Sequence, residues 1–418
     1  MKSIKNICRI LLALLFIYSG FVKGIDPLGS TYKFTDYFYA FQMNGLTGSA
    51  LFFSFLLSLF EFTLGICLLL KLFIRWTSWG VILFMGILTP LTLILAIKNP
   101  INDCGCFGDA LTLTNWETFW KNFILLGMSG ILFYKRQTFQ PFFNIIEQSI
   151  ILLGSIIFMF YLELYCYRHL PILDFRPYYI GQNIKEGMTI PEDAPQDEYA
   201  ITLKYKNRQT GEIKEFDEQN YPWQDTLHWE YVSSSEKLIK TGFKTPIQDF
   251  TIEHPTRGDI TQEILDDPGY TFLVIAYDIR KIQSKHQEQL NQLATYAITK
   301  GYRFYGISAS DEQDIQTYKE SHQVQYDFCS MDETQLKTII RSNPGLLLIR
   351  EGTILNKWSC HDFPSVDELK QKDLTAYCLN QLQTQKGKQI IWILILGYAL
   401  ILSSYGYLKF KARSRRYH

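Results

Sequence analysis

Six apolar runs, at about 7–23, 49–70, 76–97, 118–134, 144–165 and 389–408, constrain this chain more than any other feature. Each is close to the ~20 residues an α-helix needs to cross a hydrocarbon core, where the backbone must satisfy its own polar groups. The first and fourth are the shortest. Basic residues mark the ends of these runs. Lys2, Lys5 and Arg9 precede or open the first, Lys71 and Arg75 follow the second, and Lys135 and Arg136 follow the fourth. Lys409, Lys411, Arg413, Arg415 and Arg416 follow the sixth. If six spans alternate, all four clusters fall on one side, and the positive-inside rule makes that side cytoplasmic. The expectation is a multi-pass protein of a bacterial inner (cytoplasmic) membrane, in contact with the lipid bilayer and with both termini cytoplasmic. A cleavable signal peptide is the competing reading of the first run. No small-x-small site follows it, and its removal would break the alternation.

This topology places 24–48, 98–117 and 166–387 on the periplasmic side. The first segment is short and rich in turn residues (Gly24, Asp26, Pro27, Gly29). Charge divides the same way. Residues 166–387 hold 33 acidic and 24 basic side chains, although the whole chain is balanced at 41 of each. Two environments explain this better than one core. The basic residues flank apolar spans instead of interleaving with aromatics on a soluble face, so no nucleic-acid partner is expected.

The long segment changes character near residue 243. Before it, 166–242 forms a small β-rich stretch, with Tyr199–Tyr205 and Ile213–Phe216 reading as a hairpin around Asn207–Gly211. After it, 243–387 reads β-α-β-α-β-β-α. Thr271–Tyr277 is continuously apolar, as for a strand buried on both faces, and Tyr302–Ser308 is a second strand. Helices are expected at 283–300, 311–321 and about 365–381. Leu346–Arg350 and Thr353–Trp358 flank Glu351-Gly352, a hairpin turn. Strands joined through helices in this order favour a parallel pair with a right-handed crossover.

Of eight cysteines, Cys8 and Cys67 sit near span ends as packing residues. Cys104, Cys106, Cys166, Cys329, Cys360 and Cys378 fall on the oxidising side, where thiols tend to pair. Cys104-Gly105-Cys106 stands out. A disulfide across so short a loop is strained and easily reduced, and Gly105 relieves backbone crowding. Structural disulfides to other cysteines, a metal site and inertness stay open beside redox exchange. Two soft ligands with no nearby His are too few for a closed zinc site, so no metal is expected. If the pair exchanges, Cys104 is expected to carry the mixed disulfide and Cys106 to resolve it.

Glu61 and Glu147 stand out as nearly the only polar candidates in the apolar runs. A mid-span carboxylate is costly, so Glu61 is a candidate for proton handling or for a quinone headgroup; a neutral Glu pinning two helices is the alternative. Lys23 and Asp26 are expected to be interface anchors.

The opening Arg9–Lys23 with Asp26-Pro27-Leu28-Gly29, Glu61 in the second span, and Cys104-Gly105-Cys106-Phe107-Gly108 together resemble the DoxX/MauE superfamily over residues 1–136. That resemblance implies a four-helix membrane unit linked to redox metabolism. MauE is tied to maturation of a disulfide-rich methylamine dehydrogenase subunit alongside a thioredoxin-like partner, and DoxX relatives to quinone-linked sulfur oxidation. A quinone is thus the candidate cofactor, and a periplasmic thiol/disulfide protein the candidate partner. The whole arrangement looks like a DoxX-family group found in Bacteroidota.

Residues 243–387 resemble the thioredoxin-like superfamily. Pro246–Phe250 matches its entry segment, and Asn343-Pro344-Gly345 stands where that family has its cis-proline, so Pro344 is expected to be cis. The departure is at Asp278–Ser284, where the family places Cys-x-x-Cys at a helix start and this chain has no cysteine. Cys329 and Cys360 are then buried or structurally paired, although Cys360 beside His361 could hold a low-pKa thiol.

The expected fold is an α-helical polytopic membrane protein, a four-helix DoxX/MauE-like unit (1–136) plus two further transmembrane helices (144–165 and 389–408). It carries an α/β thioredoxin-like soluble domain lacking Cys-x-x-Cys, and ends in a basic cytoplasmic tail (409–418). The expected role is thiol–disulfide or quinone-linked electron transfer, with Cys104 and Cys106 as exchanging thiols and Glu61 as an intramembrane carboxylate. The alternative is a membrane-anchored, non-enzymatic scaffold whose degenerate domain binds an envelope partner. A small-solute transporter is a third class, disfavoured by the scarcity of polar residues in the spans.

Overall fold

The computed structural model describes residues 2–384, apart from 102, 192, 196, 241, 371 and 372. The sixth apolar run and the basic tail lie outside the described residues. The chain divides into two compact units. One is Asn183–Phe250, and the other comprises the segments on either side of it.

The larger unit begins with six helices: α1 (Lys2–Ile25), α2 (Pro27–Ala40), α3 (Ala50–Leu70), α4 (Ile74–Lys98), α5 (Asn115–Tyr134) and α6 (Ile145–Arg168). Four segments, Ile4–Ile25, Asn44–Leu70, Ile74–Lys98 and Ile145–Arg168, are long and apolar enough to cross a membrane. α5, the fourth apolar run of the sequence, falls outside that set. It carries Glu117 and Lys121 early and still packs into the bundle, with Leu132 buried among Leu12, Phe16 and Val81. α1 and α3 approach closely because two glycines allow it. A Cβ on Gly20 would lie 2.4 Å from the Phe62 nitrogen, and one on Gly65 would lie 2.6 Å from that of Ile17. Arg9 is buried, and its guanidinium donates to the carbonyls of Leu68 (2.6 Å) and Leu69 (2.7 Å). It thereby closes the negative end of α3.

α2 corrects the expectation of a turn-rich loop. Asp26 caps it, accepting from the Gly29 N–H at 2.9 Å, and Pro27 occupies the first turn. That pairing is a helix-start signature, because proline has no N–H to leave unsatisfied there.

Within Asn183–Phe250, a short helix α7 (Ile184–Met188) precedes a three-stranded antiparallel sheet of β1 (Glu198–Asn207), β2 (Ile213–Asp217) and β3 (Trp229–Lys240), in order β2-β1-β3. β1 and β2 are the hairpin read from sequence, and β3 pairs along the other edge of β1.

The chain then returns to the larger unit and builds β4 (Glu253–His254), β5 (Gly258–Asp259), α8 (Thr261–Leu265), β6 (Thr271–Ala276), α9 (Ser284–Thr299), β7 (Arg303–Ser308), α10 (Glu312–His322) and β8 (Asp327–Ser330). After these come α11 (Glu333–Ile339), β9 (Gly345–Arg350), β10 (Thr353–Ser359) and α12 (Val366–Lys370). The seven strands lie in order β10-β9-β6-β7-β8-β4-β5. β6 pairs parallel with β7, β7 parallel with β8, and β9 antiparallel with β6. Every residue of β6 is buried, which is what its unbroken apolar run requires. Glu351 and Gly352 both have positive φ (48° and 70°), the geometry of a tight β9–β10 hairpin. The Asn343–Pro344 peptide bond is cis.

A strap following α6 packs on this sheet. Gly181 N–H donates to Ile354 O (2.8 Å), and Ile354 N–H returns to Gln182 O (3.0 Å). Lys357 on β10 is buried and donates to Asp174 Oδ2 and Tyr178 O, both at 2.9 Å, while Arg176 grips Asp174 with two bonds.

Candidate functional site

The loop between α4 and α5 carries Cys104 and Cys106, with their sulfurs 2.9 Å apart as free thiols. Gly105 between them has φ +65°, and a Cβ there would meet Lys33 Cγ at 3.1 Å. The left-handed backbone favours glycine, and any larger residue would also have to displace the Lys33 side chain. Asp103 folds the loop by accepting from the Gly105 N–H (2.9 Å), and pairs with Lys33 Nζ (2.8 Å). Tyr37 on α2 donates to Cys104 O at 2.9 Å. Phe107 is buried against Tyr18, with Lys121 Nζ 4.2 Å from its ring centre.

Beneath this loop lies a buried polar chain. Lys23 Nζ stands 2.7 Å from Glu61 Oε2 and 2.7 Å from Ser19 Oγ. The Ser19 hydroxyl lies 2.8 Å from both Glu61 Oε2 and Cys106 O, so its single proton serves one of them at a time. Lys23 is therefore not an interface anchor. It is 6 % exposed and is the counter-charge of Glu61, which is 4 % exposed. The i, i+4 spacing of Ser19 and Lys23 puts both on one face of α1, toward α3.

The two thiols differ in acidity. The hydrogen bond from Cys104 lowers the Cys106 pKa, and the cations of Lys121 and Lys23 add to this against the opposing effect of burial. Cys104 is raised, first by the same hydrogen bond and then by burial. The dithiol is thus polarised, with the thiolate favoured at Cys106.

Asp26 and Asp109 flank the loop, and one side chain from the sheet layer ties them together. Arg341, between α11 and β9, donates from Nε to Asp26 Oδ1 (3.0 Å) and Oδ2 (2.9 Å), and from Nη2 to Asp109 Oδ2 (2.7 Å). Its guanidinium also lies over the Tyr32 ring at 5.3 Å. Tyr277, just beyond β6, meets Tyr32 edge-on at 6.4 Å between centroids. Asn343 holds the neighbouring turn by donating to Asp278 O at 2.7 Å. The end of β6 and the loop before β9 therefore face the cysteine loop. Asp26, partly exposed, is accordingly the ion-pair partner of Arg341 and a helix cap.

Residues 1–135 match the family model of methylamine utilisation protein MauE. The MauE match takes in α1 to α5, and with them every residue of the polar chain and the cysteine loop. Four apolar helices in this region and beyond it fit a multi-pass membrane domain. Residues 199–241, the three strands of the smaller unit, match a domain of unknown function, DUF8463. No curated protein and no solved structure matches the chain.

Cys106 and Glu61 thus meet through Ser19, and Cys104 joins them through its sulfur contact with Cys106. Pro344 lies three residues beyond Arg341, which binds Asp26 and Asp109. The other cysteines sit apart in chemistry. Cys329 is pushed up to about 11 and Cys378 to about 12, both by burial, and burial also raises Cys360, whose sulfur is 3.2 Å from His361 Nδ1. Glu147 is not a mid-span carboxylate but the reciprocal partner in the capping box of α6 with Asn144. Sequence reasoning missed Ser19 and Arg341, and it missed Glu163, a fully buried carboxylate in α6.

Proposed function

We propose that this protein is a thiol–disulfide exchange component of a bacterial inner membrane, with Cys104 and Cys106 as its working dithiol on the periplasmic face. The observation that carries this reading is the polarised pair itself, with Cys106 set among Lys121, Lys23 and the Glu61–Ser19 chain. The Cys106 thiolate attacks one sulfur of a partner protein's disulfide. A Cys106–partner mixed disulfide forms, and the partner's other sulfur leaves as a thiolate that takes up a proton. Cys104, deprotonated in turn, attacks the Cys106 sulfur, releasing the second partner thiol and leaving a Cys104–Cys106 disulfide. Two electrons pass to the partner. A dithiol protein or a quinol then returns two electrons to the loop. These roles reverse the sequence expectation, in which Cys104 attacked.

We read the β6–β10 layer as a thioredoxin-like domain without its dithiol. Its parallel β6-α9-β7 crossover followed by the antiparallel β9–β10 hairpin supports this. In that reading, the face on which such domains carry their own thiols is applied to the MauE-type region through Arg341, on Asp26 and Asp109, and Tyr277, on Tyr32. The domain presents partners to the loop instead of acting by itself.

Differential alkylation and mass spectrometry of intact cells test the proposal. Cys104 and Cys106 should be a mixture of reduced and oxidised forms that shifts with respiratory conditions. A pair that stays wholly oxidised under all of them would refute exchange and favour a scaffold.

A further inference from the structure

The bundle holds two buried carboxylates in opposite settings. Glu61 has a lysine at 2.7 Å and a serine hydroxyl at 2.8 Å. Glu163, on α6, is entirely buried. Ser58 Oγ lies 2.5 Å from its Oε1, and its Oε2 has no hydrogen-bond partner among the described residues. The Ser58 hydroxyl is itself contested, since Ser54 O lies at 2.8 Å.

Among the described residues no counter-charge is at hand. On α1, Lys23 is committed to Glu61, and a Cβ on Gly24 would fall 2.0 Å from the Met159 methyl and 3.2 Å from Glu163 Cγ. At the α1–α2 junction, Asp26 is committed to Arg341 and would in any case repel an anion. On α3, the facing groups are Ser54 and Ser58, with Glu61 one turn further along. On α6 itself, Cys166 is the titratable neighbour, and the surroundings are Ile25, Phe62, Met159 and Leu162. An unpaired carboxylate in such a setting costs so much that the group neutralises instead. One hydroxyl is also too sparse a set of donors for a metal cation, which needs several oxygen ligands.

We propose that Glu163 is a proton-binding site within the bundle, resting as a neutral carboxylic acid, unlike Glu61 in having no cation beside it among the described residues. Two carboxyl groups in such unlike surroundings, one beside a lysine and one not, are the arrangement expected of an acid and a base. The inference stands on the two geometries and does not depend on the thiol chemistry.

Infrared spectroscopy of the full chain in lipid vesicles tests it. At neutral pH the wild type should show the carbonyl stretch of a neutral carboxylic acid, shifted by 13C-labelled glutamate and weakened as pH rises. The band should vanish in Glu163→Gln and persist in Glu61→Gln. Its absence from the labelled wild type would overturn the proposal, and this holds whether or not a variant folds. So would its survival in Glu163→Gln, or its loss in Glu61→Gln alone.

Discussion

The loop of the membrane bundle and the sheet layer each carry cysteines, yet they treat a thiol in opposite ways. In the loop, Cys106 is lowered by a donating thiol and two lysines. In the sheet layer, Cys329 and Cys378 are raised by burial to about 11 and about 12. A thiol becomes reactive through cations and hydrogen-bond donors around the sulfur, so residue type alone does not mark the working pair. The sheet layer has no thiol just beyond β6, and from the loop before β9 it offers Arg341 to Asp26 and Asp109.

The sharpest way to break this contrast is by substitution at the sulfurs. Cys104→Ser should leave Cys106 able to attack but not to be resolved, so a mixed disulfide accumulates as a heavier band on a non-reducing gel. Cys106→Ser should give no such band. In the wild type, Cys106 should react with iodoacetamide at neutral pH at least about 10-fold faster than Cys360. Equal rates would erase the distinction between the two regions.

The ion pair beneath the loop should matter next. Lys23→Met leaves the Glu61 carboxylate buried without its cation, a loss of about 3–5 kcal/mol by analogy with other broken buried pairs. Thermal unfolding in detergent reads this, and Lys23→Met with Glu61→Leu should recover much of it. If the single variant is as stable as the wild type, the pair is not desolvated as described.

Acid should act on the strap rather than on the loop. Burial alone would raise Asp174, but Lys357 and Arg176 outweigh it and hold the carboxyl down at about 2. Burial pushes Lys357 down to about 8 against the pull of Asp174. With two cations Asp174 is the better-held partner, and the pair stays charged at neutral pH. A depressed carboxyl contributes stability above its unfolded pKa and loses it as pH falls through the folded one. About 2 kcal/mol should therefore disappear between roughly pH 4 and pH 2. Acid titration followed by near-ultraviolet circular dichroism measures the slope, and Asp174→Asn should flatten it.

Gly105→Ala should show the smallest effect, about 1–2 kcal/mol for a left-handed alanine, with Lys33 also pushed aside. Slower alkylation of Cys106 would show that the turn sets the thiol geometry. An unchanged rate would confine the glycine to stability.

Four of the six apolar runs, the β9–β10 hairpin and the cysteine pair were legible because each is written in neighbouring residues: a long apolar run, Glu-Gly between two strands, Cys-Gly-Cys. What joins them was not. Glu61 advertised itself by its cost in lipid, but Lys23 is 38 residues away on another helix and looked like an ordinary basic residue at a span end. Arg341 meets Asp26 across 315 residues, and no local spacing encodes that. Glu163 hid in Tyr161-Leu-Glu-Leu-Tyr165 because a single acid among apolar residues left the run looking continuous. α2 did carry a local signal, Asp26-Pro27, which the abundance of turn residues around it obscured.

The strap has a consequence for how the chain is made. Asp174 and Lys357 are separated by 183 residues, and the whole of Asn183–Phe250 is synthesised between them. During translation the carboxylate emerges long before β10, the strand that will cover it. The ribosome must finish the insertion and most of the seven-stranded sheet first. Until then Asp174 has Arg176 but not Lys357, so the strap locks only late in synthesis.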